Sequence, residues 1–220
     1  MDTRVYLMRH AETATPDVFH GFESDTDLGA RGYRQAEAVA PVVAAYGPDG
    51  IISSTMLRAR RTAEPIARAC GLTLRTEPDL HERKVGNMQG TPIMGDFGVW
   101  PDTLARWTAG DTAYTPEGME SFVQIANRVL PVWDRVTREF SGKSLVIVAH
   151  GIVVRVILLS VVGGYNAADW PRLGRIANCS ISEVSGSGRS WRAERIGYVP
   201  DEVRRTHDEP QTPPPAGPAT

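Results

Sequence analysis

The chain has 220 residues and a mass of 24.0 kDa, which suits one domain with a substantial buried core. The chain is 41% apolar and 23% charged, which excludes a disordered or fibrous protein. Its formal net charge of −2 gives no excess of positive charge for binding nucleic acid or an anionic membrane. Two cysteines cannot build a disulfide framework, and neither a signal peptide nor a run of about 18 apolar residues occurs. We therefore expect a soluble, cytoplasmic protein without a nucleic-acid or membrane partner.

Short apolar runs alternate with helical patterns along the chain. Strands are predicted at residues 5–8, 50–53, 72–77, 144–149, 181–184 and 191–196, the last two forming a hairpin. Helices are predicted at 30–46, 55–69, 120–140 and 152–162, with a short one near 102–107. This alternation predicts a three-layer α/β/α sandwich with a mostly parallel sheet.

Two stretches depart from this alternation. Residues 78–118 are dense in Gly and Pro and exceed the length of ordinary loops, which indicates a functional insertion. Its large apolar side chains are expected to form a small core of their own, and some to line a pocket: Met88, Met94, Phe97, Trp100, Trp107 and Tyr114. Residues 200–220 are polar and Pro-rich and are expected to be a disordered tail, leaving 1–199 as a single domain.

Reactive residues follow the predicted parallel strands, where ligands bind in sheets of this kind. Arg9 and His10 follow the first strand, Arg58 the second, Glu82 the third and His150 the fourth. Guanidinium groups match phosphate oxygens bidentately, a histidine can act as a nucleophile, and a carboxylic acid can protonate a departing alkoxide. The pattern predicts a phosphate site, and because no close His/Asp/Cys cluster occurs we expect no metal.

Five segments in order carry a resemblance to a known family. They are residues 7–13 (LMRHAET), 28–36 (LGARGYRQA), 53–63 (SSTMLRARRTA), 80–90 (LHERKVGNMQG) and 148–151 (VAHG). In this order they resemble the motifs of the histidine phosphatase superfamily, which has the phosphoglycerate mutase-like fold. Three positions depart from the usual family pattern. Ala11 stands where glycine is usual, and Pro16 where asparagine is frequent. Met119 stands between Gly118 and Glu120, where the family usually has glycine directly followed by glutamate.

The resemblance implies an enzyme of the phosphatase branch, which hydrolyses a small phosphorylated metabolite through a phosphohistidine and needs no cofactor or metal. It implies that His10 is phosphorylated, that Arg9, Arg58 and His150 bind the phosphate, and that His150 is the second catalytic histidine. Glu82 lies in the block that supplies the general acid. The stretch 78–118 would choose the substrate.

Several alternatives stay open. Glu12, Glu77 and Asp79 compete with Glu82 as the acid, and the remaining histidines are expected to be bystanders: His20, His81 and His207. A mutase would need extra cations for its acidic substrate, and residues 86–118 hold one basic residue, Arg106, against four acidic ones, which favours hydrolysis of less anionic substrates. A non-catalytic phosphate-binding module is the third alternative, and the sequence indicates no oligomeric state.

Overall fold

A six-stranded sheet forms the centre of the molecule in the computed structural model, which describes residues 2–93 and 98–206. Its strands are β1 (Thr3–Arg9), β2 (Gly50–Ser54), β3 (Leu74–Glu77), β4 (Ser144–Ala149), β5 (Ile181–Ser187) and β6 (Ser190–Tyr198). Their order across the sheet is β3-β2-β4-β1-β5-β6. The first four strands run parallel to one another, and β5 pairs antiparallel with both β1 and β6, so the predicted mostly parallel α/β sandwich is confirmed.

Helices cover both faces of this sheet. They are α1 (Ala30–Ala44), α2 (Leu57–Cys70), α3 (Trp100–Thr108), α4 (Phe122–Glu139), α5 (Gly151–Val161) and α6 (Asp201–Arg205), with 3₁₀ turns at Pro78–Leu80, Gly86–Met88 and Ala167–Leu173. Side chains of β1 alternate between the faces: Val5 and Leu7 join the core under α4 and α5, and Tyr6 and Met8 join the core under α1 and α2. Strands buried on both faces explain the continuous apolar runs in the sequence.

The strand order brings three sequence-distant segments to one edge of the sheet. β4 lies between β1 and β2, with Arg9 opposite Ala149 and Ser53 opposite Val148. The residues that follow these three strands therefore leave the same edge side by side. This is the switch point at which open α/β sheets bind ligands.

Two expectations need correction. Composition placed everything after 200 in a disordered tail, but residues 201–205 form α6, with Val203 fully buried against the α1–α2 face; residues 207–220 lie outside the described residues. Trp107 belongs to the main core rather than to a separate core of the insertion, and Met94 and Phe97 fall outside the described residues. No helix in the described ranges is long and apolar enough to cross a membrane.

Candidate active site

His10 comes directly after β1, and its ring is held in one tautomer. Its backbone N–H donates to the Ala149 carbonyl at 2.9 Å, which fixes the residue beside β4. Nδ1 lies 2.6 Å from the Ala11 carbonyl oxygen. Because a carbonyl oxygen only accepts, Nδ1 carries the proton and Nε2 keeps a free lone pair. Burial, and then the charges of Arg58 and Arg9, hold the pKa of His10 well below 6.5, so the ring is neutral at pH 7.

His150 sits at the N-terminus of α5, with its ring centroid 5.1 Å from that of His10. It is fully buried, and neither ring nitrogen has a hydrogen-bond partner within the described residues. Buried polar atoms are nearly always paired, so both nitrogens are open to a ligand. Burial, followed by the charge of Arg58, holds the pKa of His150 well below 6.5. The ring is therefore a neutral donor at pH 7.

Arg58 and Arg9 are anchored through backbone carbonyls rather than carboxylates. Nη1 and Nη2 of Arg58 donate to Ser24 and Gly21 at 2.9 and 3.2 Å, and Nη1 of Arg9 donates to Ile176 at 2.9 Å. The Nε atoms of both arginines are buried and have no partner in the part of the chain described. Burial lowers the pKa of each guanidinium, opposed by the charge of Glu82. Two rigid cations with free donors therefore face the site, as an anion requires.

Glu82 follows the 3₁₀ turn after β3 and is nearly buried. Its Oε1 accepts from the Arg83 backbone N–H at 2.9 Å, and its Oε2 lies 3.5 Å from the Ile152 backbone N–H in the first turn of α5. The second contact is long, so Oε2 is free to exchange a proton with a ligand. The same helix end places a positive dipole at the site, which favours bound anions.

Two of the three competing carboxylates form ion pairs with arginines. Glu12 pairs with Arg31 at 2.9 Å, and Glu77 pairs with Arg135 at 2.7 Å. Within residues 2–93 and 98–206, Glu82 has no ion-pair partner of its own. Glu82 is therefore the carboxyl group best placed to transfer a proton.

A cavity of about 450 Å³ is lined by Arg9, His10 and Glu82 of this site. Its wall includes residues that the sequence did not single out, among them His20, Arg83, Arg155, Arg175 and Asn178. His20 was expected to be a bystander, yet its ring lies in the wall and bonds Thr15 and Ser24. Of these residues, Arg83 directly follows Glu82 in the motif at 80–90, and Asn178 lies shortly before β5, so their positions could have indicated the site. His20, Arg155 and Arg175 belong to none of the five motif segments.

A buried network holds the segment of His10 and Ala11 against α2. The Ala11 N–H donates to Thr62 Oγ1 at 2.9 Å, and that hydroxyl donates to the Arg58 carbonyl at 2.8 Å. Asn178 Nδ2 donates to the His10 carbonyl at 3.0 Å. Ala11 does not have a positive φ, so alanine is unstrained where the family usually has glycine. Gly32 is required, since a Cβ there would lie 1.9 Å from the Glu12 carbonyl oxygen.

The family profile described as histidine phosphatase superfamily (branch 1) matches residues 5–198. The chain belongs to this superfamily, and its fold is phosphoglycerate mutase-like. It is similar to the probable phosphoglycerate mutase GpmB of Yersinia pestis, with 34% identity over 201 residues, covering 89% of this chain and 90% of the relative.

Solved structures give the same assignment. A mycobacterial glucosyl-3-phosphoglycerate phosphatase in complex with VO3 is 28% identical with a TM-score of 0.79, over 89% of this chain and 99% of that one. A phosphoglycerate mutase from Bacillus anthracis is 16% identical with a TM-score of 0.72, over 94% of this chain and 97% of that one. The second likeness concerns the fold alone.

Proposed function

We propose that the protein is a phosphomonoester hydrolase that acts through a phosphohistidine on His10. The observation that carries the proposal is a histidine with a free Nε2 facing buried donors that have no protein acceptor. Those donors belong to Arg9, Arg58 and His150, and they match the non-bridging oxygens of a phosphoryl group. The likeness to a phosphatase solved with VO3 supports the same assignment.

The first half-reaction moves the phosphoryl group to the enzyme. His10 Nε2 attacks phosphorus, and the bond from phosphorus to the leaving oxygen breaks. Protonated Glu82 gives its proton to that oxygen, so an alcohol leaves rather than an alkoxide. Arg9, Arg58 and His150 stabilise the charge on the phosphoryl oxygens during transfer. Guanidinium charge supplies the neutralisation that a divalent ion supplies in other phosphatases, so we propose a metal-independent reaction.

The second half-reaction returns the enzyme to its starting state. Water attacks the phosphohistidine and gives a proton to the Glu82 carboxylate. The bond between phosphorus and His10 Nε2 breaks, and orthophosphate leaves. We also propose that the stretch 78–118 selects the leaving group, because Val85, Met88 and Trp100 form part of the cavity wall.

A mutase is the second candidate, and a specific observation favours it. The count of cations over 86–118 argued against acidic substrates, but three further arginines reach the cavity from outside that stretch: Arg83, Arg155 and Arg175. A mutase would move the phosphoryl group between positions of its substrate without releasing stoichiometric orthophosphate. Measuring released orthophosphate against consumed ester separates the two activities.

The nucleophile is tested by trapping the intermediate. Enzyme quenched during turnover of a phosphate-labelled substrate should carry acid-labile, base-stable label, and His10→Ala should carry none while remaining folded. His207→Ala is the control histidine and should label as the unmodified protein does. Label on serine, or a burst of product without any labelled enzyme, would refute the proposal.

A further inference from the structure

Two arginines of the cavity wall lack the acidic partners that arginines have elsewhere in this protein. Surface arginines of the described ranges are commonly paired: Arg4 with Glu183, Arg68 with Glu37, Arg106 with Asp102, Arg128 with Glu120 and Arg192 with Asp2. In residues 2–93 and 98–206, neither Arg155 nor Arg175 has a carboxylate within 4.0 Å, the limit for a salt bridge. Their charges are therefore available to a ligand.

Arg155 is half-buried and held in place without being neutralised. Its guanidinium lies 5.1 Å from the centre of the Trp170 ring, and its Nη atoms donate to the carbonyls of Trp170 and Gly174. These partners orient the group but carry no full negative charge. Arg155 lines the same cavity as Arg9. Burial, and then the charge of Arg9, lowers the pKa of Arg155.

Arg175 completes the pair from the connection before β5. It is exposed and, among the described residues, makes no hydrogen bond or ion pair. It directly precedes Ile176, whose carbonyl anchors Arg9. Arg175 and Arg9 both line the same cavity.

Arg83 differs from this pair because nearby carboxylates already balance its positive charge. Its guanidinium lies 4.9 and 5.0 Å from the ring centres of Trp100 and Trp107, and its Nε donates to the Glu120 carbonyl. The charges of Glu82 and Glu120 also act on it. We therefore leave Arg83 out of the pair.

The pair stands beyond the phosphate site along α5. Arg155 lies five residues after His150, which corresponds to about 7.5 Å along the helix axis at 1.5 Å per residue. Apolar side chains contribute to the rest of the wall, among them Val18, Phe19 and Ile93. A short carbon skeleton packed against them would connect two anionic groups.

We propose that Arg155 and Arg175 form a second anion subsite, which binds a carboxylate or a second phosphate on the leaving part of the substrate. The inference rests on the proposed function, because that function places the first phosphate at His10. It identifies the substrate class as small phosphomonoesters with an acidic group several bonds from the ester. Arginine forks are suited to both carboxylate and phosphate.

The test compares substrates that differ only in the second anion. One arm uses glycerol 3-phosphate and 3-phosphoglycerate, which differ by a carboxylate, and the other uses 1,3-propanediol monophosphate and its bisphosphate. The measured quantity is the ratio of kcat/KM within each pair, which cancels effects on the shared chemistry. The ratio is taken as kcat/KM with the second anion over kcat/KM without it. Arg175→Gln should lower this ratio about tenfold for the kind of anion, carboxylate or phosphate, that the subsite binds, since a charge-assisted hydrogen bond is lost.

Controls separate the subsite from general damage. Arg172→Gln removes an exposed arginine nearby that is paired with Asp169, and it should leave both ratios unchanged. Arg155→Gln should lower the kcat/KM ratio for the same substrate pair as Arg175→Gln. If Arg155→Gln does not fold, the result for Arg175→Gln decides the test. Unchanged ratios in both arms for Arg175→Gln would overturn the subsite.

Failure of the proposed function has a different signature. If His10 is not the nucleophile, no labelled histidine forms, yet the subsite remains testable by binding. Calorimetry on His10→Ala should give tighter binding of the ligand that carries the second anion, and Arg175→Gln in that background should abolish the preference. Equal affinity within both pairs would refute the subsite whatever the chemistry at His10.

Discussion

The Thr62 hydroxyl joins the segment after β1 to α2, because it accepts from the Ala11 N–H and donates to the Arg58 carbonyl, so Thr62→Val tests how that connection stabilises the protein. Valine keeps the shape but leaves the buried Ala11 N–H unpaired, because that donor has no other acceptor among the bonds described. The Arg58 carbonyl keeps its own helical hydrogen bond within α2. An unpaired buried donor costs about 1–3 kcal/mol, so the free energy of unfolding should fall by about 2 kcal/mol. For a chain of this size Tm should fall by about 4–8 °C.

The matched control is Thr137→Val. Thr137 is also buried in a helix and donates back to the Trp133 carbonyl at 2.8 Å. Among the residues that the structure describes, its hydroxyl accepts no backbone N–H from another segment. Urea unfolding followed by tryptophan fluorescence gives both free energies, and Thr62→Ser should restore most of the loss. If Thr62→Val and Thr137→Val differ by less than about 0.5 kcal/mol, the reasoning about the unpaired Ala11 donor is wrong.

Three further predictions concern the chemistry and its pH dependence. Glu82→Gln should slow phosphorylation by alkyl phosphates about 10²–10⁴-fold in single-turnover kinetics, and far less by nitrophenyl phosphate, whose leaving group needs little protonation; equal slowing would mean that Glu82 only positions groups. Activity should survive dialysis against EDTA and be inhibited by vanadate, which mimics the five-coordinate transition state; loss of activity that Mg²⁺ or Zn²⁺ restores would contradict this. Because His10 and His150 are buried with pKa values well below 6.5, the unfolded chain binds more protons as pH falls through 6.5, so stability should decrease below that pH. The decrease should be smaller in His150→Asn. If the unmodified protein and His150→Asn have identical pH profiles of Tm, the lowered pKa of His150 does not contribute to the loss of stability.

The strands and their functional ends could be predicted because local sequence determines them. The run at 5–8 becomes β1, and the residues after β1, β2 and β4 meet at one edge because parallel strands share their direction. His10, Arg58 and His150 all lie where the strand ends predict. What the sequence could not supply was the strand order, which depends on long-range pairing.

The remaining site residues were not predictable, because they come from segments without a motif. Arg155 lies on α5, whose other residues are nearly all apolar and predict a buried helix. Arg175 lies in the connection before β5, where the path of the backbone depends on tertiary packing. Counting charges over residues 86–118 alone therefore missed three arginines of the cavity wall, Arg83, Arg155 and Arg175. α6 was hidden for a related reason: the Pro-rich composition of the tail outweighed Val203, the one apolar residue that docks.

The aromatic cluster of Trp100, Trp107 and Trp170 has a consequence for exchanging parts between relatives. Trp170 lies 5.9 and 5.7 Å from the other two ring centres, and its ring also supports Arg155. The stretch 78–118 therefore cannot be exchanged on its own. A chimaera that replaces it removes the aromatic neighbours of Trp170 and disturbs Arg155, whose guanidinium lies over the Trp170 ring. A change of substrate preference that involves this cluster would therefore require coupled substitutions near Trp107 and near Trp170, about sixty residues apart.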